Sequence, residues 1–338
     1  MLSLNYLLKR FFASLFLILG TIVITFLLIN FAPGDPALVW AGKPRGPQAS
    51  IAIEKAREYL GLDLPLYTRI AIHVYRFFTG DWGTSVQFKL PVFNLVTRSF
   101  MASLELVVYS FIIAIPIALW LGTAVALRRG SYIDKLVYYI SVVFAGSPRF
   151  MVAGILYLIL YLSGYSFLGL RTSPSYATFK ELTGFITIDS IISGRIDIFV
   201  DSLLRLLPPA LALSTYPIGV LTRVIRVSLS ETFEEEYVKQ AISLGIDRKS
   251  IVRRYAYPNI ISVVAQLLGL MFSYLLLEAM VVENVFVREG LGNLISRAIV
   301  ASDFPLLIGA TVFTAIVLII TNTLADVIQA ITNPRVQI

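Results

Sequence analysis

The sequence predicts an all-α integral membrane protein with six transmembrane helices. Its 338 residues are 57% hydrophobic and only 14% charged, and the mean hydropathy is +0.80, which no soluble single domain of this length would tolerate. Six segments are apolar over the roughly 20 residues that a helix needs to cross a bilayer. No obvious soluble domain separates them, so the architecture is a helical membrane bundle.

The six predicted spans follow one another along the chain. The second contains Pro116, and the third is interrupted at Ser147-Pro148-Arg149. In order, the spans are Phe11–Ala32, Leu106–Leu127, a span within Leu136–Gly169, Leu206–Val227, Ile260–Val282 and Phe304–Ala325. Lys9 and Arg10 before the first span would also suit a signal peptide. However, its apolar run is too long and no small-residue cleavage site follows, so we expect a retained span.

Basic residues gather between alternate spans and predict the orientation of the chain. One side receives Lys9, Arg10, Arg128, Arg129, Lys135, Arg248, Lys249, Arg253, Arg254 and Arg335. That side should be the cytoplasm, so both termini are expected there, in the cell membrane. The net charge of +7 is therefore a signal of topology and does not indicate nucleic-acid binding.

This organisation divides the chain into four regions. They are residues 1–32 with the first span, an extracellular segment 33–98, a core 99–330 with the other five spans, and a cytoplasmic tail 331–338. Two short amphipathic helices are predicted in the extracellular segment, at Ser50–Tyr59 and Tyr67–Phe78, and Gly and Pro residues separate them. We expect this segment to fold as a small outer cap; the alternative is a pair of interfacial helices with aromatic side chains at the lipid surface.

A regular polar stretch, roughly Val227–Asn259, separates the fourth and fifth spans. Thr232 and Glu235 predict a capping box at the start of a helix, and Gly245 follows where about three turns should end. Between them, the apolar residues recur at helical spacing: Tyr237, Ala241 and Leu244. The stretch predicts a helix at the membrane surface that receives force from a soluble partner. The alternative is a charged loop that only keeps two spans apart.

Three features near the predicted spans are candidates for function within the membrane. Glu105 and Glu278 lie near predicted span ends, and a carboxylate near hydrocarbon is costly unless it faces a cavity or a partner. Each of these two side chains either extends to water at the membrane surface or lines a pore. Pro148 interrupts the hydrogen bonds of a span, and the resulting kink is either architectural or a hinge.

Several kinds of chemistry are excluded by the composition. The sequence has no cysteine, which excludes disulfides, thiolate metal sites and cysteine nucleophiles. Its single histidine is His73, a weak basis for a membrane-embedded hydrolase. No G-x-x-x-x-G-K-[ST] run is present, so the usual loop that binds nucleotide phosphates is missing. If ATP powers this protein, another chain binds it, and we expect no cofactor in this one.

The polar stretch resembles the EAA loop of the membrane subunits of binding-protein-dependent ABC importers. That motif reads Glu-Ala-Ala, three residues, Gly, nine residues, Ile, one residue, Leu, Pro. Ala241, Gly245 and Pro258 match at the correct spacing. Four motif positions differ, with Lys239, Gln240, Tyr255 and Tyr257 in place of the motif's Glu, first Ala, Ile and Leu.

Further motifs resemble the dipeptide/oligopeptide permease branch of the same superfamily, in the subunit usually called B. They occur in the same order and cover nearly the whole chain from Leu4 to Arg335. They are Ala32–Pro36, Gly61–Pro65 with Tyr67, Gly80–Ser85, Arg129–Asp134, Val282–Phe286 with Gly290–Gly292, and Asn333–Arg335, where Asn333 replaces an Asp.

The resemblance implies a type I ABC importer permease fold with a cytoplasmic coupling helix. The residues implied for coupling are Glu234, Tyr237, Ala241, Leu244, Gly245 and Pro258, within loop 228–258. The implied partners are a second, C-type permease subunit, two ATP-binding subunits that hold ATP and Mg, an extracellular solute-binding protein and membrane lipid. The chain itself would not be an enzyme.

The resemblance also implies a substrate and a mechanism. Di- and oligopeptides are favoured, but the same branch imports nickel chelates and oligosaccharides. The solute would pass by alternating access between this chain and the second permease. A different class of function is a self-contained secondary transporter, which needs coupling-ion sites at intramembrane acids. Only Glu105 and Glu278 are candidates for such sites.

Overall fold

The computed structural model describes residues 4–30, 37–38, 41, 46, 48–165 and 169–332. The predicted motifs Ala32–Pro36 and Asn333–Arg335 lie outside the described residues. In the described part of the chain, the regular structure is helical apart from one isolated antiparallel bridge between Thr84 and Pro91. The predicted all-α class is confirmed.

The α-helices are numbered here in chain order. They are α1 (Leu4–Asn30), α2 (Ala49–Leu60), α3 (Leu66–Phe78), α4 (Val92–Ala126), α5 (Tyr132–Gly146), α6 (Arg149–Leu162), α7 (Ile186–Ile192), α8 (Ile196–Glu234), α9 (Glu236–Ser243), α10 (Arg248–Ile251), α11 (Tyr257–Phe286), α12 (Leu291–Val300) and α13 (Phe304–Thr332). A 3₁₀ turn covers Pro174–Tyr176, and a π-helix covers Val252–Ala256.

The helices belong to two compact units, each described by itself. The first comprises Met1–Ala102 and Glu289–Thr323, and the second comprises Ser103–Arg288 and Leu324–Gln337.

In the first unit, the two short helices predicted for the extracellular segment are confirmed. Helix α2 ends at Gly61, whose φ of 62° is left-handed; glycine adopts this conformation without strain. Helix α3 packs against α1. Gly61 caps the end of α2 and Pro65 caps the start of α3, so the predicted bounds of both helices were within one residue of those observed.

The motif Gly80–Ser85 forms a turn that is fixed within this first unit. Trp82 stacks on Phe77 with ring centroids 4.5 Å apart, and its indole Nε1 donates to the Phe77 carbonyl at 3.1 Å. The buried Asp303 carboxylate accepts hydrogen bonds from the Ser85 hydroxyl and from the Gln87 amide, the latter at 3.0 Å. The motif is therefore a structural joint between the segment after α3 and the start of α13.

Four helical segments in the described chain are long and apolar enough to cross a membrane. They are Leu8–Leu27, Val92–Ala126, Val263–Phe286 and Phe304–Asp326. Helices α5 and α6 together would make a fifth, bent by 103° at the predicted interruption Ser147-Pro148-Arg149. Ser147 is extended at the break (ψ 134°), as a residue before proline prefers. The multi-pass membrane architecture is confirmed, and the count of six spans stays a prediction.

Helix α8 differs most from its prediction. It is 39 residues long and contains Pro208, Pro209 and Pro217, whereas the sequence predicted a span over Leu206–Val227. Despite its length, α8 is not among the four segments apolar enough to cross a membrane. Helix α8 forms the centre of the second unit, where it packs against α5, α6, α7 and α11.

Gly219 allows helices α8 and α5 to approach each other closely. A Cβ atom added to Gly219 of α8 would lie 2.5 Å from the Ser141 carbonyl oxygen and 2.7 Å from the Ala145 nitrogen of α5. No side chain fits that space, so the two backbones touch, as is common between membrane helices that meet at small residues.

Candidate functional site

The predicted coupling stretch contains a short, separate helix, α9. It spans eight residues, and its N-cap is Glu235, whose extended backbone (ψ 142°) separates α9 from α8. The predicted capping box was wrong. Thr232 lies in the last turn of α8, and its hydroxyl donates to the Ser228 carbonyl at 2.8 Å. A threonine hydroxyl that bonds one turn back no longer marks a helix start.

Gly245 closes α9 in the way that its sequence position predicted. Its φ is 80°, its amide donates to Ile242 O at 3.0 Å, and the Ile246 amide donates to Ala241 O at 3.2 Å. These bonds satisfy carbonyls left over at the helix end. The left-handed conformation expected of Gly245 is confirmed, although α9 has about two turns instead of three.

Helix α9 has an inner and an outer face. Val238 and Ala241 are 0% and 5% exposed, so both face the chain's own interior. Three apolar side chains of α9 and its C-cap residue are exposed: Tyr237 at 44%, Ile242 at 46% and Leu244 at 75%. We call these three residues the coupling patch. Tyr237 and Ala241 are four residues apart and lie on the same side of α9, as the sequence predicted; Ala241 is buried there, whereas Tyr237 is partly exposed.

Two ion pairs attach the end of α8 to the start of α5. Arg129 pairs with Glu234, the last residue of α8. Asp134 accepts from both the Nε and the Nη2 of Arg226, the latter at 2.8 Å. The Asp134 carboxylate also accepts from the Gly130 amide at 2.9 Å. We call these two ion pairs the brace. Arg129 and Asp134, the first and last residues of the Arg129–Asp134 motif, each form one of the two pairs.

The chain returns from α9 to the membrane without a break in helical structure after Asp247. The Asp247 carboxylate caps α10 by accepting from the Ser250 amide at 3.1 Å, and its hydrogen bonds with Ser250 lower the pKa of Asp247. The π-helix Val252–Ala256 then leads into α11, with Pro258 in its first turn. Proline has no amide hydrogen, which accounts for the wider helical turn just before it.

Glu105 lies in a buried ion cluster. It is 1% exposed. One oxygen accepts from Arg171 Nη2 at 3.0 Å and from Arg288 Nη2 at 3.1 Å. The other accepts from the Thr187 amide at 3.0 Å and its hydroxyl at 2.8 Å. Glu105 of α4 is therefore bound to Thr187 of α7 and to Arg288, which lies two residues after the end of α11.

Neither arginine of this cluster was found from the sequence. Arg171 and Arg288 are 66 and 183 positions away from Glu105, so no local spacing relates the three residues. The only available signal is the expectation that a carboxylate in an apolar region has a charged partner.

Pro148 and Glu278 contribute to a second group in the same unit. Arg149, next to Pro148, is 3% exposed; it donates to the Phe144 carbonyl at 2.8 Å and also bonds Ser147 O and the Thr215 hydroxyl. Its guanidinium lies 5.7 Å from the ring centroid of Tyr216. The Tyr216 and Tyr274 rings are 4.8 Å apart.

Glu278 is half-buried beside these aromatic rings. Its carboxylate interacts with the Tyr274 hydroxyl one turn earlier and, through space, with Arg149. The sequence placed Glu278 near the end of a span at Val282, but α11 continues to Phe286. Glu278 therefore lies about 12 Å from the helix end, at 1.5 Å per residue.

The described residues contain no group of three or more His, Cys, Asp or Glu side chains arranged to hold a metal ion. The site is thus built from ion pairs, exposed apolar residues and aromatic rings.

Comparison with known proteins decides the family. Residues 114–338 match the sequence model of the binding-protein-dependent transport system inner membrane component, and residues 3–121 match that of the N-terminal region of such membrane components. The chain belongs to this family. The resemblance carried by Ala241, Gly245, Pro258 and the outer motifs is confirmed.

Named relatives of this permease subunit match it over nearly its full length. It is 32% identical over 331 residues to the probable D,D-dipeptide transport system permease protein DdpB of Escherichia coli (strain K12), covering 97% of this chain and 96% of that protein. It is 28% identical over 338 residues to the dipeptide transport system permease protein DppB of the same strain, covering 99% of each. A putative peptide transport system permease protein of Brucella abortus (strain 2308) is 30% identical over 330 residues, covering 98% of each.

Proposed function

We propose that this permease subunit carries short peptides across the cell membrane in an ATP-driven importer, with α9 as its coupling helix. The observation that carries the proposal is the coupling patch. Tyr237, Ile242 and Leu244 expose apolar side chains on a short helix held between two long ones. Large apolar side chains exposed on one short segment mark a surface for a protein partner. That partner is an ATP-binding subunit.

The rest of the assembly follows from this role. A second permease subunit would share the translocation pathway, two ATP-binding subunits would hold ATP and Mg, and an extracellular binding protein would deliver the solute. The basic residues between alternate spans favour cytoplasmic termini, and segment 33–98 would then form a cap on the outer face. Because the sequence has no P-loop, we assign hydrolysis to the partner subunits.

The brace connects the end of α8, next to the coupling helix, with the start of α5. When ATP brings the two ATP-binding subunits together, α9 moves with the cleft that holds it. Because Glu234 and Arg226 are ion-paired to the start of α5, that movement reaches α8 and α5 together. On the other side, α10 and the π-helix continue into α11. ATP shifts the balance of inward- and outward-facing states only as far as it binds them differently.

Peptides are the favoured solute because the relatives named above are dipeptide and peptide permeases. The test is uptake of radiolabelled dialanine by proteoliposomes that contain both permeases, both ATP-binding subunits and the binding protein. We expect uptake that requires ATP and the binding protein. Competition by unlabelled oligosaccharide or nickel chelate, without competition by peptides, would contradict the assignment of peptides.

The same proteoliposomes separate this function from a secondary transporter. Vesicles that contain the two permeases alone, with an imposed proton or sodium gradient, should accumulate no dialanine. Robust gradient-driven uptake without the ATP-binding subunits would contradict the importer assignment.

A further inference from the structure

We propose that Glu278, with the aromatic rings of Tyr274 and Tyr216, binds a protonated amine of the solute inside the membrane, such as the amino terminus of a peptide. The inference rests on the proposed function, because it names the part of the solute that this region of the permease recognises. Glu278, Tyr274, Tyr216 and Arg149 are called the amine site below.

The position of Glu278 requires a polar environment during transport. It lies within the segment Val263–Phe286 of α11, which is apolar and long enough to span a membrane. An ionised carboxylate at such a depth is costly in lipid, and such residues face a cavity, a pathway or a charged partner. Glu278 is half-buried, so part of the residue remains accessible from outside the chain.

The neighbouring rings suit a cation. The Tyr274 side chain is 42% exposed, and its ring lies 4.8 Å from that of Tyr216 at an angle of 46°. Ring faces attract ammonium groups, most strongly where water is excluded. A carboxylate beside two tyrosines therefore supplies both an ion-pair partner and an aromatic wall for a primary amine.

Arg149 is held at the edge of this site by its own hydrogen bonds. Its Nη nitrogens are already bonded to Phe144 O, Ser147 O and the Thr215 hydroxyl, at the break between α5 and α6. The guanidinium is 3% exposed and acts on Glu278 through space. It is a positioning residue that fixes the break between α5 and α6 and does not touch the solute.

Glu105 shows by contrast what a purely structural carboxylate looks like in this chain. Its two oxygens accept four hydrogen bonds from Arg171, Arg288 and Thr187, so it has no capacity left for a ligand. Glu278 interacts with one hydroxyl and one distant guanidinium. Its carboxylate retains the capacity to accept from a solute ammonium group.

The absence of cysteine from the sequence allows a direct test of charge. In the complete importer, Glu278→Cys is compared before and after reaction with 2-sulfonatoethyl methanethiosulfonate, which adds a negative group, or with the 2-(trimethylammonium)ethyl reagent, which adds a positive one. Dialanine uptake and ATP hydrolysis stimulated by the binding protein are measured for each. Leu277→Cys, at the adjacent position with 44% exposure, is the matched control.

We expect Glu278→Cys to lower uptake roughly tenfold or more, because a hydrogen bond to a charged group is lost. The negative adduct should restore most of the uptake and the positive adduct should restore none. Both adducts at position 277 should have the same effect. Uptake by Glu278→Cys equal to the wild type, a thiol that does not react, or equal effects of the two adducts at position 278 would overturn the inference.

Two further variants keep the inference testable if Glu278→Cys does not assemble. Tyr274→Leu removes the ring and should lose about threefold to tenfold of the uptake, whereas Tyr274→Phe, which retains the ring, should lose less. Equal uptake by the two would contradict the amine site. Absence of dialanine uptake by the wild-type importer would instead contradict the proposed function, and the inference with it.

Discussion

The carboxylate of Asp134 and the guanidinium of Arg226 form a two-point ion pair, with 2.8 Å between Arg226 Nη2 and Asp134 Oδ2. Asp134 lies in the first turn of α5, and Arg226 lies about two turns before the end of α8. The pair therefore fixes the part of α8 from which the coupling helix departs. A movement of α9 cannot be absorbed by bending α8 away from its neighbour.

Replacing Asp134 by Asn should weaken this connection. Arg226 would keep a half-buried positive charge without its anionic partner, and we expect a loss of about 1–3 kcal/mol in stability. ATP hydrolysis by the complex should continue while dialanine transported per ATP falls. Asp197→Asn is the control, because the exposed Arg195–Asp197 pair should contribute little. Wild-type coupling in Asp134→Asn would mean that the brace transmits no force.

Replacing Gly245 should affect the coupling helix without disturbing any span. Its φ is 80°, and an added Cβ would meet nothing within 4 Å. The cost is therefore conformational, about 1–2 kcal/mol for a side chain held in the left-handed region, and greater for a β-branched one. Gly245→Val should insert normally but co-purify with less ATP-binding subunit, and uptake should fall in parallel.

The control for this variant is Gly154→Ala. Gly154 also has open space around it, and its φ is not positive, so alanine should fit in α6 without strain. If Gly245→Val retains full association with the ATP-binding subunits and full transport, the stretch between α8 and α11 is only a spacer.

Removing the charge of Glu105 should be far more damaging to the fold. Glu105→Gln leaves the buried guanidinium groups of Arg171 and Arg288 without their shared carboxylate, and breaking a buried ion pair costs about 3–5 kcal/mol. We expect a lower melting temperature in detergent and poor recovery of the importer. Glu289→Gln, at an exposed position, should melt like the wild type. Equal melting of Glu105→Gln and the wild type would contradict the structural role.

The single histidine should make the stability of the chain depend on pH. His73 stacks on Phe26 with ring centroids 5.2 Å apart. Burial, and secondarily the charge of Arg76, lower the pKa of His73. The unfolded chain then takes up this proton more readily than the folded one, so stability is full above the unfolded value of about 6.5 and is lost as pH falls below it.

The measurement is the melting temperature in detergent at pH 7.5 and pH 5.5. The wild type should lose more stability over this interval than His73→Phe, which keeps a ring beside Phe26 and cannot take up a proton. An identical pH dependence of the two proteins would show that His73 does not sense the proton. His73→Phe should also keep its transport activity, since no catalysis is assigned to this residue.

Local signals predicted some elements of the fold well. Gly61 and Pro65 bound the helices α2 and α3 closely, and Pro148 marks the break between α5 and α6. Gly245 has the left-handed backbone that its position after an apolar pattern predicted. In each case a backbone requirement of one residue type decides the conformation.

Other features depend on residues that are distant in sequence. The sequence predicted a helix start at Thr232, but α8 continues past this residue to Glu234. Helix α8 is stabilised by its packing against α5, α7 and α11. The fifth span was predicted to end at Val282, yet α11 continues to Phe286, and Glu283, the residue after Val282, is 0% exposed. The partners of Glu105, and the Tyr216 ring near Glu278, come together only when the helices pack, so no local pattern predicts them.

The most direct test of the coupling assignment is site-specific crosslinking in a chain that has no cysteine of its own. Leu244→Cys lies in the coupling patch, and Leu182→Cys lies between the predicted third and fourth spans, on the side opposite the basic residues. The two side chains are 75% and 72% exposed in the wild type and so are equally accessible. Each variant is assembled into the importer and treated with a short thiol-to-amine crosslinker. Leu244→Cys should join an ATP-binding subunit, and Leu182→Cys should not. A crosslink to that subunit from Leu182→Cys, or none from Leu244→Cys, would contradict both the orientation and the coupling role of α9.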